Sequence, residues 1–242
     1  MENQLRNMVR FNVDEEGMHR VKDTLVGKNG VFDYNNFMSM SEELDINFHT
    51  EDKLSLSCYL FQKESIIDNT LNDLKNEFGG ITPAEAVEKI LKENSKVSLE
   101  KGKIINKNIK KYGYPNKLQW AMANWGTKYN AIEPKFEGNK LYFESVSTAP
   151  SKVIKKVSEL LKDIIIQHIW IDELFGEECG FDEYLNGEKI LSYKPEVCSV
   201  EAYKLYIECY GSDSCIRIDE EGNYYKIVCD KCNGCGSYKL FK

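Results

Sequence analysis

Five of the eight cysteines fall between Cys209 and Cys235, and the last three stand at even intervals in Cys229-Asp230-Lys231-Cys232-Asn233-Gly234-Cys235. A Cys-x2-Cys pair on a tight turn aims two thiolates at one tetrahedral ion, and a second pair from a neighbouring hairpin completes a structural zinc site. Cys209, Cys229, Cys232 and Cys235 form the candidate ligand set, with Cys215 an equal candidate for one place. An iron–sulfur cluster is not expected, because the run lacks the local fourth cysteine and following proline of the bacterial motif. Free thiols are the third reading. Cys58, Cys179 and Cys198 read as small apolar residues.

A second candidate is the run Trp125-Gly126-Thr127-Lys128-Tyr129, where a helical pattern hands over to a strand pattern. As a ligand-binding corner, Lys128 would meet an anion while Trp125 or Tyr129 stacks on a ring. As a fold corner, Trp125 packs inward, Gly126 supplies an unusual backbone conformation and Lys128 lies along the sheet. Lysines at 101, 103, 107, 110 and 111 accompany Ile104, Ile105 and Ile109, so that segment reads as a helix with an apolar inner face and a solvated basic face. Acidic residues from Asp172 to Glu183 lack the alternating order of a calcium loop and read as a surface hairpin. Of the three histidines, none belongs to a Gly-x-Ser-x-Gly or His-Glu-x-x-His motif, and no phosphate-binding glycine loop occurs. No catalytic residue is assigned.

The elements that must position these groups follow from the hydrophobic period. Leu5 to Val13 reads as a strand, and Asp14 caps a helix carrying Met18, Val21 and Leu25. Val31 to Leu44 reads as a packed loop. From Phe61 to Trp120 the pattern is helical: one helix ends at Gly79-Gly80, Thr82-Pro83-Ala84-Glu85 opens another as a capping box, and a third stops at Gly113. Thr127–Pro134 and Asn139–Ser147 read as a hairpin, Pro150 opens a helix, and Asp163–Asp172 is a strand buried on both faces. Strand-like pieces follow near Phe181–Leu185 and Glu188–Tyr193, then a mixed segment from Ser199 to Tyr210 and a strand pair near Cys215–Ile218 and Tyr224–Val228.

The order strand, helix, helical insertion, two strands, helix, strand predicts an α+β fold of the ferredoxin-like, split βαβ kind, with an antiparallel sheet sandwich. The expected division is residues 1–175 as that domain, with the insertion at about 61–123, and 176–242 as a β-rich, Cys-rich extension. The 242 residues, 42% apolar and 29% charged, are of ordinary globular composition, and no run approaches the roughly 20 apolar residues of a membrane helix. The opening residues lack a basic-then-apolar leader, so a cytoplasmic location is expected. The net charge of −7, with only four arginines among 32 basic residues, weighs against a general nucleic-acid binder.

The octapeptide Asn124-Trp125-Gly126-Thr127-Lys128-Tyr129-Asn130-Ala131 resembles the YubB-type family of phages and plasmids, as do Phe32 to Leu44 and Phe143 to Ser151. The resemblance covers residues 1 to about 190 and stops before the cysteine tail. It implies a ferredoxin-like domain and a mobile-element setting, with no established activity. The leading expectation is a non-enzymatic binding protein of such an element, engaging a host protein or a small ligand, with counter-defence as its setting. The competing one is a zinc-stabilised nucleic-acid-binding accessory protein using the Lys101–Lys111 segment with Arg6, Arg10 and Arg20. A third, weaker class is a hydrolase or nuclease built on the acidic segment.

Overall fold

A computed structural model describes residues 3–27, 30–46, 49–173, 177–211, 216–222 and 224–226. The chain divides into two compact units, one formed by Met1–Ser39 with Ala121–Lys242 and the other by Met40–Trp120. No helix among the described residues is long and apolar enough to cross a membrane.

The first unit is α+β, built on a six-stranded antiparallel sheet. Its strands are β1 (Gln4–Phe11), β2 (Ile132–Glu137), β3 (Lys140–Val146), β4 (Ile166–Asp172), β5 (Cys179–Leu185) and β6 (Glu188–Tyr193), in the order β2-β3-β1-β4-β5-β6. Both neighbours of β1 pair with it antiparallel, Asn7 lying opposite Phe143 of β3 and Trp170 of β4. Because side chains alternate, Leu5, Val9 and Phe11 share one face while Met8 belongs to the other, and all four are buried. Helix α1 (Glu15–Leu25) follows β1, its N-terminus capped by Asp14, whose carboxylate accepts the Gly17 N–H at 2.9 Å.

Within residues 176–242, expected as a β-rich, Cys-rich extension, β5 and β6 join this sheet. Asn186 and Gly187, both with positive φ, make the two-residue turn that such a hairpin requires. Residues 199–210, which carry no clean period, form a helix. Ser199 caps it, and Tyr203, Tyr206 and Cys209 give it an inward face of aromatic and sulfur groups rather than aliphatic ones. With α7 as the helix Ser151–Leu160, this last helix is α8 (Val200–Tyr210). It covers Met8, Ile169, Ile171 and Cys179 on one face of the sheet, whereas Ser151 of α7 lies beside Leu5, Trp170 and Asp182 of the other face, and Ser158 Oγ of α7 accepts the Gly187 N–H of the β5–β6 turn at 3.0 Å. The sheet therefore carries helices on both faces.

β2 starts at Ile132, later than Thr127, and it is an edge strand. Gly126 at φ +81 and the Asn130 side chain, which accepts the Tyr34 N–H at 3.0 Å, hold the intervening residues in a corner instead. A small hairpin, β7 (Ile216–Ile218) with β8 (Tyr224–Lys226), is paired antiparallel as expected.

The second unit is helical: α2 (Thr50–Glu64), α3 (Asn69–Glu77), α4 (Pro83–Glu93), α5 (Leu99–Tyr112) and the start of α6 (Lys117–Asn124). Thr82 and Glu85 close the expected capping box on α4, and Gly113 ends α5 in the left-handed region. The helical pattern begins earlier than Phe61, at Thr50. α2 hides this because its inward residues include Asp52, Ser55, Ser57 and Cys58 rather than a stripe of leucines. Val31 to Leu44 contains two short 3-10 turns capped by Asp33 and Ser41.

Candidate functional site

Trp125 is 2% exposed and Thr127 is fully buried, so the ligand-binding reading of Trp125, Gly126, Thr127, Lys128 and Tyr129 meets a packed corner. The indole N–H of Trp125 donates to the Met38 carbonyl at 3.0 Å, and its ring stands edge-on to Tyr34, which also meets Phe32 and Phe143 edge-on. Thr127 Oγ donates to the Val146 carbonyl at 2.8 Å and accepts the Val146 N–H at 3.2 Å. Two side chains return the attachment: Thr148 Oγ donates to the Gly126 carbonyl, and Lys152 Nζ donates to the Ala123 carbonyl. Tyr129 alone among the three aromatic and hydroxyl-bearing residues here is exposed, at 46%. The motif thus pins the turn between β3 and α7.

That turn is one wall of a cleft of about 310 Å³, whose lining includes Ser147, Thr148, Ser151, Trp170, Asp182, Lys189, Ser192 and Lys194. The opposite wall is the β5–β6 hairpin. Asp182, 4% exposed, accepts from Ser192 Oγ at 2.6 Å and from Lys189 Nζ at 2.8 Å. With the Tyr184 hydroxyl donating to it at 3.4 Å as well, this buried carboxylate is held by one charged and two neutral donors, and losing its charged partner would leave charge in a poorly solvated place. Trp170 forms the floor. It pairs with Gly180 across β4–β5, and a Cβ on Gly180 would fall 2.4 Å from the ring, so only glycine lets the indole lie flat there. Lys194 Nζ stands 5.6 Å from the centre of that ring and 2.8 Å from Glu178.

The groups around Asp182 are shifted away from neutrality. Burial pushes the Tyr184 hydroxyl up, and the charge of Asp182 adds to this. For Lys189, burial works downward, but the hydrogen bond to Asp182 and the neighbouring Tyr184 outweigh it and hold the ammonium above its ordinary value. Neither is poised near neutrality, as a general acid or base would be. His168, opposite Asp182 in β4–β5, is fully buried and pushed down to about 4 by desolvation. Burial also pushes the thiols of Cys58 and Cys179 up to about 11, away from the nucleophilic thiolate.

Of the zinc candidates, Cys229, Cys232 and Cys235 lie outside the described residues, as does the alternative Cys215. Cys209 is 2% exposed on the inner side of α8, and burial raises its thiol to about 12. There it fills the core between α8 and the sheet. Among the described residues no three His, Cys, Asp or Glu side chains converge as a metal site.

In the second unit, only Ile105 of the three α5 isoleucines is buried; Ile104 and Ile109 are exposed at 38% and 36%. The expected wholly apolar inner face is narrower because Gly102, Asn106 and Asn108 occupy it. Each lysine of the basic face already meets an acid: Lys101 meets Asp52 at 2.6 Å, Lys103 meets Glu100 at 3.9 Å, Lys107 and Lys111 share Glu43 at 3.3 and 3.1 Å, and Lys110 meets Glu64. Phosphate contacts would have to displace these acids.

No protein-family model and no curated protein matches the sequence. Among solved structures, the crystal structure of protein api92 from Yersinia pseudotuberculosis, of the family model DUF1281, is similar over 81% of this chain and 98% of that one. Identity is 11% and the TM-score 0.40. The family is left open. The cleft residues Trp170, Asp182, Lys189 and Ser192 are not marked out by sequence, since no motif joins them. They meet only through the register of β4, β5 and β6.

Proposed function

We propose that the protein is a non-enzymatic binding protein whose site is the cleft between the Ser147–Ser151 turn and the β5–β6 hairpin. The ligand is a small polar molecule with a flat ring, or a host-protein side chain of that chemistry. The observation that carries this reading is the flat indole of Trp170 on Gly180, bordered by a fixed Asp182–Lys189–Ser192 set. The ring offers a stacking surface, Lys189 has further N–H donors, and the serine and threonine hydroxyls both donate and accept.

The fold is read as ferredoxin-like. The strand order β4-β1-β3-β2, antiparallel throughout, with α1 after β1 and α7 between β3 and β4, supports a split βαβ unit to which β5 and β6 are added. The mobile-element setting and cytoplasmic location rest on the YubB-type octapeptide and on composition. A nucleic-acid partner is the weaker reading because the α5 lysines are already engaged.

A thermal-shift screen against a metabolite library tests the cleft. The expected result is a ring-bearing polar compound that raises the melting temperature of the wild type but not of Trp170→Ala or Lys189→Met. A blank across the library with folded protein overturns it. For zinc, Cys209→Ser is expected to leave any stoichiometric metal in place, while Cys229→Ser/Cys232→Ser removes it. Loss of metal with Cys209→Ser alone would reverse the assignment of Cys209 to the core.

A further inference from the structure

Lys194 occupies the cleft as a ligand would. Its ammonium stands 5.6 Å from the centre of the Trp170 ring, within range of a cation–π contact, and 2.8 Å from a Glu178 carboxylate oxygen. An indole face with a carboxylate beside it is chemistry that selects positive charge. The lysine holds this place loosely, because its side chain is 60% exposed and that of Glu178 is 57% exposed, and an exposed ion pair gains little over water. An ammonium is also a compact point charge on a flexible stem, and it covers only part of an indole. A flat ring would cover more of it.

The other end of the cleft is built for the opposite sense. Along this edge of the cleft Glu178, Gly180 and Asp182 follow one another on one face, about 6.6 Å apart, with the Trp170 ring against Gly180 between the two acids. Asp182 is 4% exposed and already accepts from Lys189 Nζ, Ser192 Oγ and the Tyr184 hydroxyl. A ligand there meets the remaining N–H donors of Lys189 rather than a bare carboxylate. The cleft thus offers a carboxylate with a displaceable cation at its Glu178 end and ammonium donors at its Lys189 end. With the cleft as the binding site, on which this inference rests, we propose that its ligand is a flat ring carrying a positive charge toward Glu178 and a hydrogen-bond acceptor, such as a carbonyl, toward Lys189. Lys194 is the internal cation that this ring displaces from Trp170.

Calorimetric titration of the full chain with three probes of nearly one shape separates the charges: 1-methylnicotinamide, a pyridinium cation; nicotinamide, which is neutral; and nicotinate, an anion. The cation should bind tightest. Lys194→Met should widen its preference over nicotinamide about fivefold, because Glu178 is then left to the ligand alone. Adding Glu178→Gln to that variant should erase the preference. Both side chains are exposed, so neither exchange disturbs the packing, and thermal melting checks the fold. Nicotinate binding as tightly as the cation overturns the proposal while leaving the cleft as a binding site, and so does a preference that Lys194→Met leaves unchanged. No binding by any of the three overturns it too, and the cleft itself is then judged by whether any compound of the metabolite screen depends on Trp170.

Discussion

Gly102→Ala is expected to destabilise the helical unit by about 3 kcal/mol, the upper end of the usual cost of overpacking. Glycine within a helix normally invites the opposite forecast, because alanine is favoured there by about 1 kcal/mol. Here α5 crosses α2 so closely that a Cβ on Gly102 would sit 2.1 Å from the Ser55 carbonyl oxygen and 2.7 Å from the Ser55 carbonyl carbon and the Tyr59 Cβ. Two of those three atoms are backbone, so no rotamer change relieves the clash. The helices would have to separate. Separation also strains the contacts that fasten this crossing: Ser55 Oγ accepts the Ser98 N–H at 3.0 Å, and the buried Asp52 carboxylate meets Lys101. Loss of the Asp52–Lys101 approach would leave a carboxylate that is 1% exposed without its cation. Urea denaturation of wild type and variant, followed by helical circular dichroism, measures the difference. A variant as stable as the wild type, or more stable, would show that α2 and α5 do not approach through Gly102.

The same crossing marks what the sequence can and cannot disclose. α4 and α7 are legible because Val87 and Ile90, and Val153, Ile154 and Val157, stand at helical spacing beside recognisable starts at Thr82-Pro83 and Pro150. α2 is half visible, because packing through Ser55, Ser57 and Cys58 against a glycine leaves no apolar stripe to read. α8 is hidden for a related reason, its buried face being Ala202, Tyr203, Tyr206 and Cys209. The octapeptide is visible as a unit, yet its role is open in the sequence: Trp125 and Thr127 point inward and hold the wall of a cleft whose other groups come from β4, β5 and β6. Trp170 and Gly180 are separated in the chain by ten positions and meet only once β4 and β5 are in register. Pair contacts set by register leave no local spacing signal.

Lowering the pH from about 7 to 4 should cost the sheet unit about 3 kcal/mol through one residue, His168. The imidazole is fully buried among the strands, and its Nε2 faces Asn7 Oδ1 at 2.9 Å. Asn7 donates its amide hydrogens to Ser145 Oγ at 2.9 Å and the Leu5 carbonyl at 3.0 Å, so its Oδ1 is the acceptor and His168 Nε2 carries the proton. Nδ1 is then the bare nitrogen, buried and without a hydrogen-bond partner. Protonating it would add a charge in a place where no acceptor waits, and desolvation accordingly holds the folded pKa at about 4 against 6.5 for a free histidine. The unfolded chain therefore binds a proton between these two values while the folded one does not. Stability from this group is complete above 6.5 and declines as the pH falls toward 4, by about 1.4 kcal/mol for each pH unit crossed between the two. The charge of Asp182 acts the other way and that of Lys189 reinforces the depression; burial dominates both. His168→Gln, whose side-chain amide can still donate to Asn7, should flatten the slope in this window while leaving the response below about pH 4 to the carboxylates. Urea midpoints measured from about pH 7 to 4 would decide it, with the His168 ring proton shifts followed by NMR. Equal slopes in the two proteins, or a ring that titrates near its ordinary 6.5 in the folded state, would place the charged imidazole in contact with solvent and remove the effect.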